Sequence, residues 1–267
     1  MNFNITIGQY YPTDSVIHRL DPRIKLLATT NVIVLLFIAT DFISYGLIAG
    51  GILSIIMISK IPLKSILRGL RALIYIILFT VLLNLFFAPG ETMLVEWGII
   101  RISHEAVMAA IQMAFRLILL IITSSLLTLT TAPVSLTSAI EVLLGPLKIL
   151  KFPIHEIAMM MTIALRFIPT LLEEAEKITK AQMARGAAFD QGNIVRRAKS
   201  LIPILVPLFV SAFRRADDLA MAMESRCYRG DMNRTRMKDL KFLAPDFVAM
   251  GVLMGATVIL IMLRIYL

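Results

Sequence analysis

Residues 26–40 and 42–59 supply 33 largely apolar positions interrupted by one charge, Asp41. One helix crossing a bilayer uses about 20 residues. The block is too long for a single crossing and too continuous for a soluble core. Two short spans turning near Asp41 are expected, fitted to the bilayer by local thinning or by extension at their ends. Further apolar blocks occupy 72–89, closed by Pro89-Gly90, then 106–130 and 247–263. Composition agrees, because 58% of the 267 residues are hydrophobic and 17% are charged. A soluble domain is nearer one half apolar and one quarter charged. The chain therefore reads as an all-α polytopic membrane protein with about five transmembrane helices.

The net charge is +9, from 27 Lys and Arg against 18 Asp and Glu. In a soluble protein this would suggest nucleic acid. In a membrane chain the positive-inside bias accounts for it, and no nucleic-acid partner is expected. Three cations fall in residues 1–25, four in 60–71 and seventeen in 131–245, whereas Arg101 and Arg264 fall on the other side and Arg116 lies within a span. The short segments alone favour the first side by seven to two. The N-terminus and residues 131–245 are thus expected in the cytoplasm and the C-terminus outside. The polar first 25 residues have the wrong order for a cleaved signal peptide. Cys227 is the one cysteine, which excludes an internal disulfide, and His18, His104 and His155 are scattered singly. No metal site or cofactor is expected from them.

Three segments follow: 1–130, with a cytoplasmic N-terminal stretch and four spans; 131–245, cytoplasmic and helical; and 246–267, the last span. The middle segment holds apolar runs at 155–168 and 200–213 that are too short for full spans and suggest buried, re-entrant or interfacial helices. Leu136, Ile140, Leu143, Leu144 and Leu147 mark an amphipathic helix over 134–150. Each apolar run leads into a charged helix. The first runs from Pro169 to Gly186, with glutamates early and lysines late as the helix dipole favours, Gly186 as terminator, and Leu171, Ala175, Ile178 and Gln182 along a narrow seam. The second runs from about Leu208 to Cys227, where Ala212, Ala216 and Ala220 form a small-residue stripe suited to helix packing.

These two helices end alike. Ala184-Arg185-Gly186 and Ser225-Arg226-Cys227 each place an arginine between small residues, and the arginines are 41 positions apart (226 − 185). One such arginine could simply satisfy terminal carbonyls. The pairing suggests two equivalent docking points, since the guanidinium fork makes several directed hydrogen bonds and small flanks let it enter a groove. Cys227 is read as structural.

Two other classes of function compete. A membrane enzyme would need clustered acids, an activated nucleophile or a phosphate loop. Glu173-Glu174 and Asp217-Asp218 are neighbours in helices and point about 100° apart, so neither pair converges on a metal. They read as solvated faces or as partners for nearby cations, and no Gly-x4-Gly-Lys loop occurs. A stand-alone carrier would need a polar path, and Asn84, Gln112 and Arg116 within the apolar blocks make a sparse one.

Several stretches carry a resemblance that extends over nearly the whole chain. They are Gly8-Gln9-Tyr10 with Pro12, Leu20-Asp21-Pro22-Arg23 with Lys25, residues 124–131, Arg166-Phe167-Ile168-Pro169-Thr170-Leu171, and the two arginine-tipped helices. In this order they resemble the transmembrane T component of energy-coupling factor (ECF) transporters, the EcfT family. The N-terminal patterns look like the general, shared type rather than the dedicated metal-transport type. The resemblance implies membrane spans plus cytoplasmic coupling helices, the last two long and crossing, with arginine motifs that dock into grooves of two ABC ATPase subunits. Carried over, the docking residues are Ala184, Arg185 and Gly186 at one tip and Ser225, Arg226 and Cys227 at the other. The second triplet departs from Ala-Arg-Gly, but its flanks are still small. The resemblance further implies a non-catalytic coupling subunit in a bacterial or archaeal plasma membrane. Its partners would be the ATPases, the lipid bilayer and a substrate-binding membrane (S) subunit that carries a vitamin or other micronutrient.

Overall fold

The structure is a computed structural model that describes residues 10–87, 93–97, 100–187, 189, 193–230 and 242–266. Gly8 and Gln9 of the N-terminal motif, and Pro89 and Gly90 after the third apolar block, lie outside the described residues. The helices are α1 (Val16–Arg19), α2 (Pro22–Ile38), α3 (Phe42–Ser59), α4 (Leu63–Phe87), α5 (His104–Thr130), α6 (Pro133–Leu143), α7 (Ile154–Ala184), α8 (Ile194–Ser225) and α9 (Ala244–Tyr266). A short antiparallel hairpin, β1 (Met93–Trp97) and β2 (Ile100–Ser103), stands between α4 and α5. Otherwise the expected all-α polytopic architecture is what the chain adopts. It divides into two compact units, one made of residues 8–139 with 238–267, the other of residues 140–237 with 1–7.

In the first unit, local chemistry sets the helix ends. Asp21 caps α2, its carboxylate accepting from the Arg23 N–H at 2.8 Å, with Pro22 in the first turn. Asp41 stands in extended backbone at the start of α3, so the long apolar block does break into two helices there. Ser103 caps α5 by accepting from the Ala106 N–H. α5 packs against α2, α3 and α4, around a core that includes Leu36, Tyr45, Ile52, Leu119 and Leu126. Lipid is as apolar as leucine, so close fit and interhelical hydrogen bonds must hold such a bundle together. Gly69 shows the fit, because a Cβ added there would come within 3.0 Å of the Ser125 Oγ on α5.

Arg116 shows the hydrogen bonding. From α5 its guanidinium donates to the carbonyls of Leu36 and Ala39 at 3.1 and 3.2 Å and to the Tyr45 hydroxyl at 3.1 Å. Gln112 donates to the Thr40 carbonyl at 2.9 Å. Both satisfy acceptors that the end of α2 leaves without an intrahelical partner. Asn84 donates within its own helix, to the Thr80 carbonyl. The three polar residues of the carrier reading are engaged with backbone.

Among the described residues four helices are long and apolar enough to cross a membrane, namely α3, α5, α7 and α9, and α4 makes a fifth if its halves Leu63–Arg71 and Leu73–Phe86, bent by 56°, form one span. Their number matches the expectation, but their identity differs in two places. α2 has 17 residues and reaches only about 25 Å at 1.5 Å per residue. The run at 155–168 does not stop at Pro169. It belongs to a single helix of 31 residues.

In the second unit, α7 and α8 both start earlier than the sequence suggested. α8 has 32 residues and continues through Pro203 and Pro207. Each proline removes one backbone donor, yet the helix continues through both, with Ile204 buried between them and Ile202, Leu205 and Val206 exposed. The helix expected over 134–150 is shorter. α6 ends at Leu143, and a 3-10 turn covers Gly145–Leu150. Pro146 cannot donate to a helical ladder and disfavours helix in the residue before it. Leu144 and Leu147 are correspondingly exposed.

Candidate functional site: two matched helix tips

α7 and α8 pack against one another. Glu174 on α7 accepts from the Arg215 guanidinium on α8 at 2.8 Å. The Tyr228 hydroxyl, just past α8, lies 3.1 Å from the Met159 Sδ near the start of α7. These contacts come in opposite order along the two helices, so the helices run antiparallel. The seam read from α7 is present, since Leu171, Ala175, Ile178 and Gln182 are all half-buried. The stripe on α8 is not the packing face. Ala212 is half-buried but Ala216 and Ala220 are exposed, and the inward positions are Ser211, Arg215, Leu219 and Met223. Small size alone does not say which way a helix face turns.

The ends of α7 and α8 have one geometry. At α7 the Gly186 N–H donates to the Met183 carbonyl at 3.0 Å and the Ala187 N–H to the Gln182 carbonyl at 3.0 Å. At α8 the Cys227 N–H donates to the Glu224 carbonyl at 2.9 Å and the Tyr228 N–H to the Met223 carbonyl at 3.0 Å. Both are Schellman caps in the same register, with the residue after the arginine in the left-handed region. Gly186 has φ +86° and Cys227 φ +55°. Ala184, Arg185 and Gly186 are exposed at one tip, and Ser225, Arg226 and Cys227 at the other.

These caps bear on what the arginines do. The last carbonyls of each helix are bonded by backbone N–H groups, so they do not call for a guanidinium. Among the described residues neither Arg185 nor Arg226 makes a side-chain hydrogen bond or ion pair. The tips are not brought together. Arg185 lies eleven residues beyond Glu174 (185 − 174), and Arg226 eleven beyond Arg215 (226 − 215), in opposite directions. At 1.5 Å per residue they stand up to roughly 33 Å apart.

The paired carboxylates do not build a reactive centre. Glu173, Asp217 and Asp218 are exposed, and Glu174 is held by Arg215. Among the described residues no three His, Cys, Asp or Glu side chains are grouped to hold a metal ion. Sequence reasoning missed the Glu174–Arg215 bridge and the Tyr228–Met159 contact, which join residues 41 and 69 positions apart.

The family CbiQ, described as "Cobalt transport protein", matches residues 13–237. A protein of Thermosediminibacter oceani, "Energy-coupling factor transporter transmembrane protein EcfT", is 56% identical over 252 residues, covering 93% of this chain and 95% of that protein. The chain belongs to this family. Proteins of the same name from Ruminiclostridium cellulolyticum and Acidaminococcus fermentans are each 50% identical, the latter over 98% of this chain and 97% of its own length. The chain is thus an EcfT-type transmembrane component of an energy-coupling factor transporter, and the resemblance carried by the N-terminal motifs and the arginine-tipped helices is confirmed at the level of family. Within that family, α7 and α8 provide two exposed, geometrically equivalent cationic tips on one antiparallel pair.

Proposed function

We propose that this EcfT-type chain is the coupling scaffold of an ECF-type ABC importer. It stands between two ABC ATPase subunits, which hydrolyse ATP, and a substrate-binding membrane subunit that takes up a vitamin or other micronutrient. It lies in a bacterial or archaeal plasma membrane with its N-terminus in the cytoplasm. The observation that supports this reading is the pair of matched caps with unengaged arginines at opposite ends of α7 and α8. Two like tips that face apart fit two like partners. Each ATPase groove must supply acceptors to its guanidinium, because a desolvated unpaired charge is costly.

The test is pull-down of the ATPases together with substrate uptake, set beside the membrane expression level. Arg185→Ala with Arg226→Ala is expected to leave expression unchanged and to abolish both pull-down and uptake. A double variant that binds its ATPases and supports uptake would reduce the arginines to bystanders. Lysine at either site is expected to restore little, since it lacks the planar fork. A reporter fused after Leu267 is expected to be active outside the cell, and cytoplasmic activity would overturn the orientation.

A further inference from the structure

Four cations, Lys60, Lys64, Arg68 and Arg71, follow one another between α3 and the bend of α4, and no acidic residue occurs from Phe42 to Gly90. All four are exposed. Lys64, Arg68 and Arg71 stand at i, i+4 and i+7 and share one helix face. The opposite face of the segment is packed, with Ile66 3% exposed and Gly69 against Ser125. Exposed Leu63 and Leu67 flank the cations. The segment is thus a basic amphipathic helix whose axis is turned 56° from the apolar half of α4 that follows it. A helix of that character at a membrane boundary lies in the headgroup region.

Beside it lies a groove of about 490 Å³ with Leu53, Met57, Ile61 and Pro62 in its lining and Lys60 and Tyr11 among its polar groups. Met57 is 77% exposed, so the groove is an open apolar surface. Lys60 holds φ +54°, a conformation that glycine adopts without strain. The backbone there fixes the direction in which the Lys60 side chain leaves the helix end, and its flexible stem carries the ammonium. Among the described residues no hydrogen bond or ion pair engages any of the four cations. The Asp14 carboxylate, on which Lys60 acts at a distance, is itself paired with Arg19 at 2.7 Å.

We propose that this junction binds an anionic phospholipid, its phosphate held by Lys60, Lys64 and Arg68 and its acyl chain lying along Leu53 and Met57. An anionic headgroup supplies the missing counter-charge, and the groove supplies the apolar surface that a free anion would not use. A zwitterionic lipid brings its own cation and neutralises nothing. The surface is separate in sequence from Arg185 and Arg226, and neither outcome below bears on the docking of ATPases.

The full chain is purified in mild detergent after exposure to equimolar phosphatidylglycerol and phosphatidylcholine, and retained lipid is read by native mass spectrometry. Phosphatidylglycerol is expected to be retained selectively. Lys60→Gln with Lys64→Gln and Arg68→Gln is expected to lower that retention roughly a hundredfold, at about fivefold per cation. Arg264→Gln, at the far end of α9, is expected to leave it unchanged. Equal retention by the triple variant, or equal loss in Arg264→Gln, would overturn the site as merely annular lipid. Equal displacement by free glycerol phosphate would overturn the lipid assignment in favour of a soluble anion. A second variant keeps every charge. Met57→Trp in vesicles is expected to be quenched more by brominated-chain phosphatidylglycerol than by brominated-chain phosphatidylcholine at equal mole fraction, and equal quenching would also overturn the proposal.

Discussion

The tip of α7 and the tip of α8 share one hydrogen-bond pattern but not one residue solution. At α7 the left-handed position is Gly186, and nothing lies within 4 Å of the Cβ it lacks. At α8 the same position is Cys227, which carries a side chain into a conformation that costs an L-residue roughly 1–2 kcal/mol. The two tips also differ one residue later. The residue there is Ala187 at α7, whereas at α8 it is Tyr228, which ties that end to Met159 on α7. The end of α7 relies on a permissive residue, and the end of α8 relies on an anchor. The common result is an arginine held at the C-cap position in the same register. Equivalence of the tips is therefore a property of backbone geometry and not of identical sequence.

The largest expected effect tests that equivalence. If the tips serve equivalent grooves, Arg185→Ala and Arg226→Ala should each weaken ATPase binding by about 2 kcal/mol or more, roughly thirtyfold, as truncation of an interface hot spot does. The double variant should lose more than either alone, because both contacts act on one assembled complex and avidity is lost with them. Titration of the ATPase pair against each variant in detergent measures this. A loss confined to one arginine would break the comparison and leave the other tip without a docking role.

Next in size is an exchange at the left-handed position. Gly186→Cys should destabilise the end of α7 by about 1 kcal/mol, since space is open and only the backbone conformation resists. Cys227→Gly should stabilise the end of α8 by about 0.5–1 kcal/mol, the relief of strain outweighing the extra entropy of a glycine in the unfolded chain. Amide exchange at Ala187 and Tyr228 reads both. Effects of the same sign at the two tips would mean that the caps are not equivalent after all.

What the sequence made legible was local. Asp41 as a break and Gly186 as a helix stop each act within a few residues, and each stands where it was expected. The arginine tips were legible because small-Arg-small is also local. The starts of α7 and α8 were misplaced, because Pro169, Pro203 and Pro207 look like boundaries when read alone. The helices continue through each of them, at the loss of one backbone donor per proline. The alanine stripe of α8 failed for a related reason, since its spacing defines a face but not what that face meets. Partners far apart in sequence, such as Glu174 with Arg215 and Arg116 with the end of α2, leave no local trace at all.

A third prediction uses the other unit as a control. Asp21 caps α2, and its own N–H donates to the buried carboxylate of Asp246 at 2.8 Å. Asp21→Ala should cost about 1 kcal/mol from the lost cap and lower the thermal stability of the purified chain. It should leave the affinity for ATPases at both tips unchanged. A selective loss of ATPases at normal membrane yield would mean that the tips report on the bundle, and the comparison between them would no longer isolate the caps.

The smallest expected effect concerns the bridge that sets the two helices side by side. Glu174 and Arg215 have side chains 25% and 36% exposed, so solvent screens the pair. Exposed pairs of this kind contribute about 0.2–1 kcal/mol. Glu174→Gln keeps the shape and removes the charge, and Arg215→Met keeps much of the stem and removes the fork. Either should lower thermal stability slightly, and the two together should cost less than the sum of the singles, because each single already breaks the bridge. ATPase affinity at each tip taken separately should be unchanged, since neither cap contains these residues. What should fall is the difference between two-site and one-site binding, because the bridge fixes how far apart, and in which directions, the two tips are presented. A double-mutant cycle on avidity, run beside the same cycle on thermal stability, separates these outcomes. Strict additivity in both would show that the bridge is incidental and that the spacing of the tips is set by the apolar seam of α7 alone.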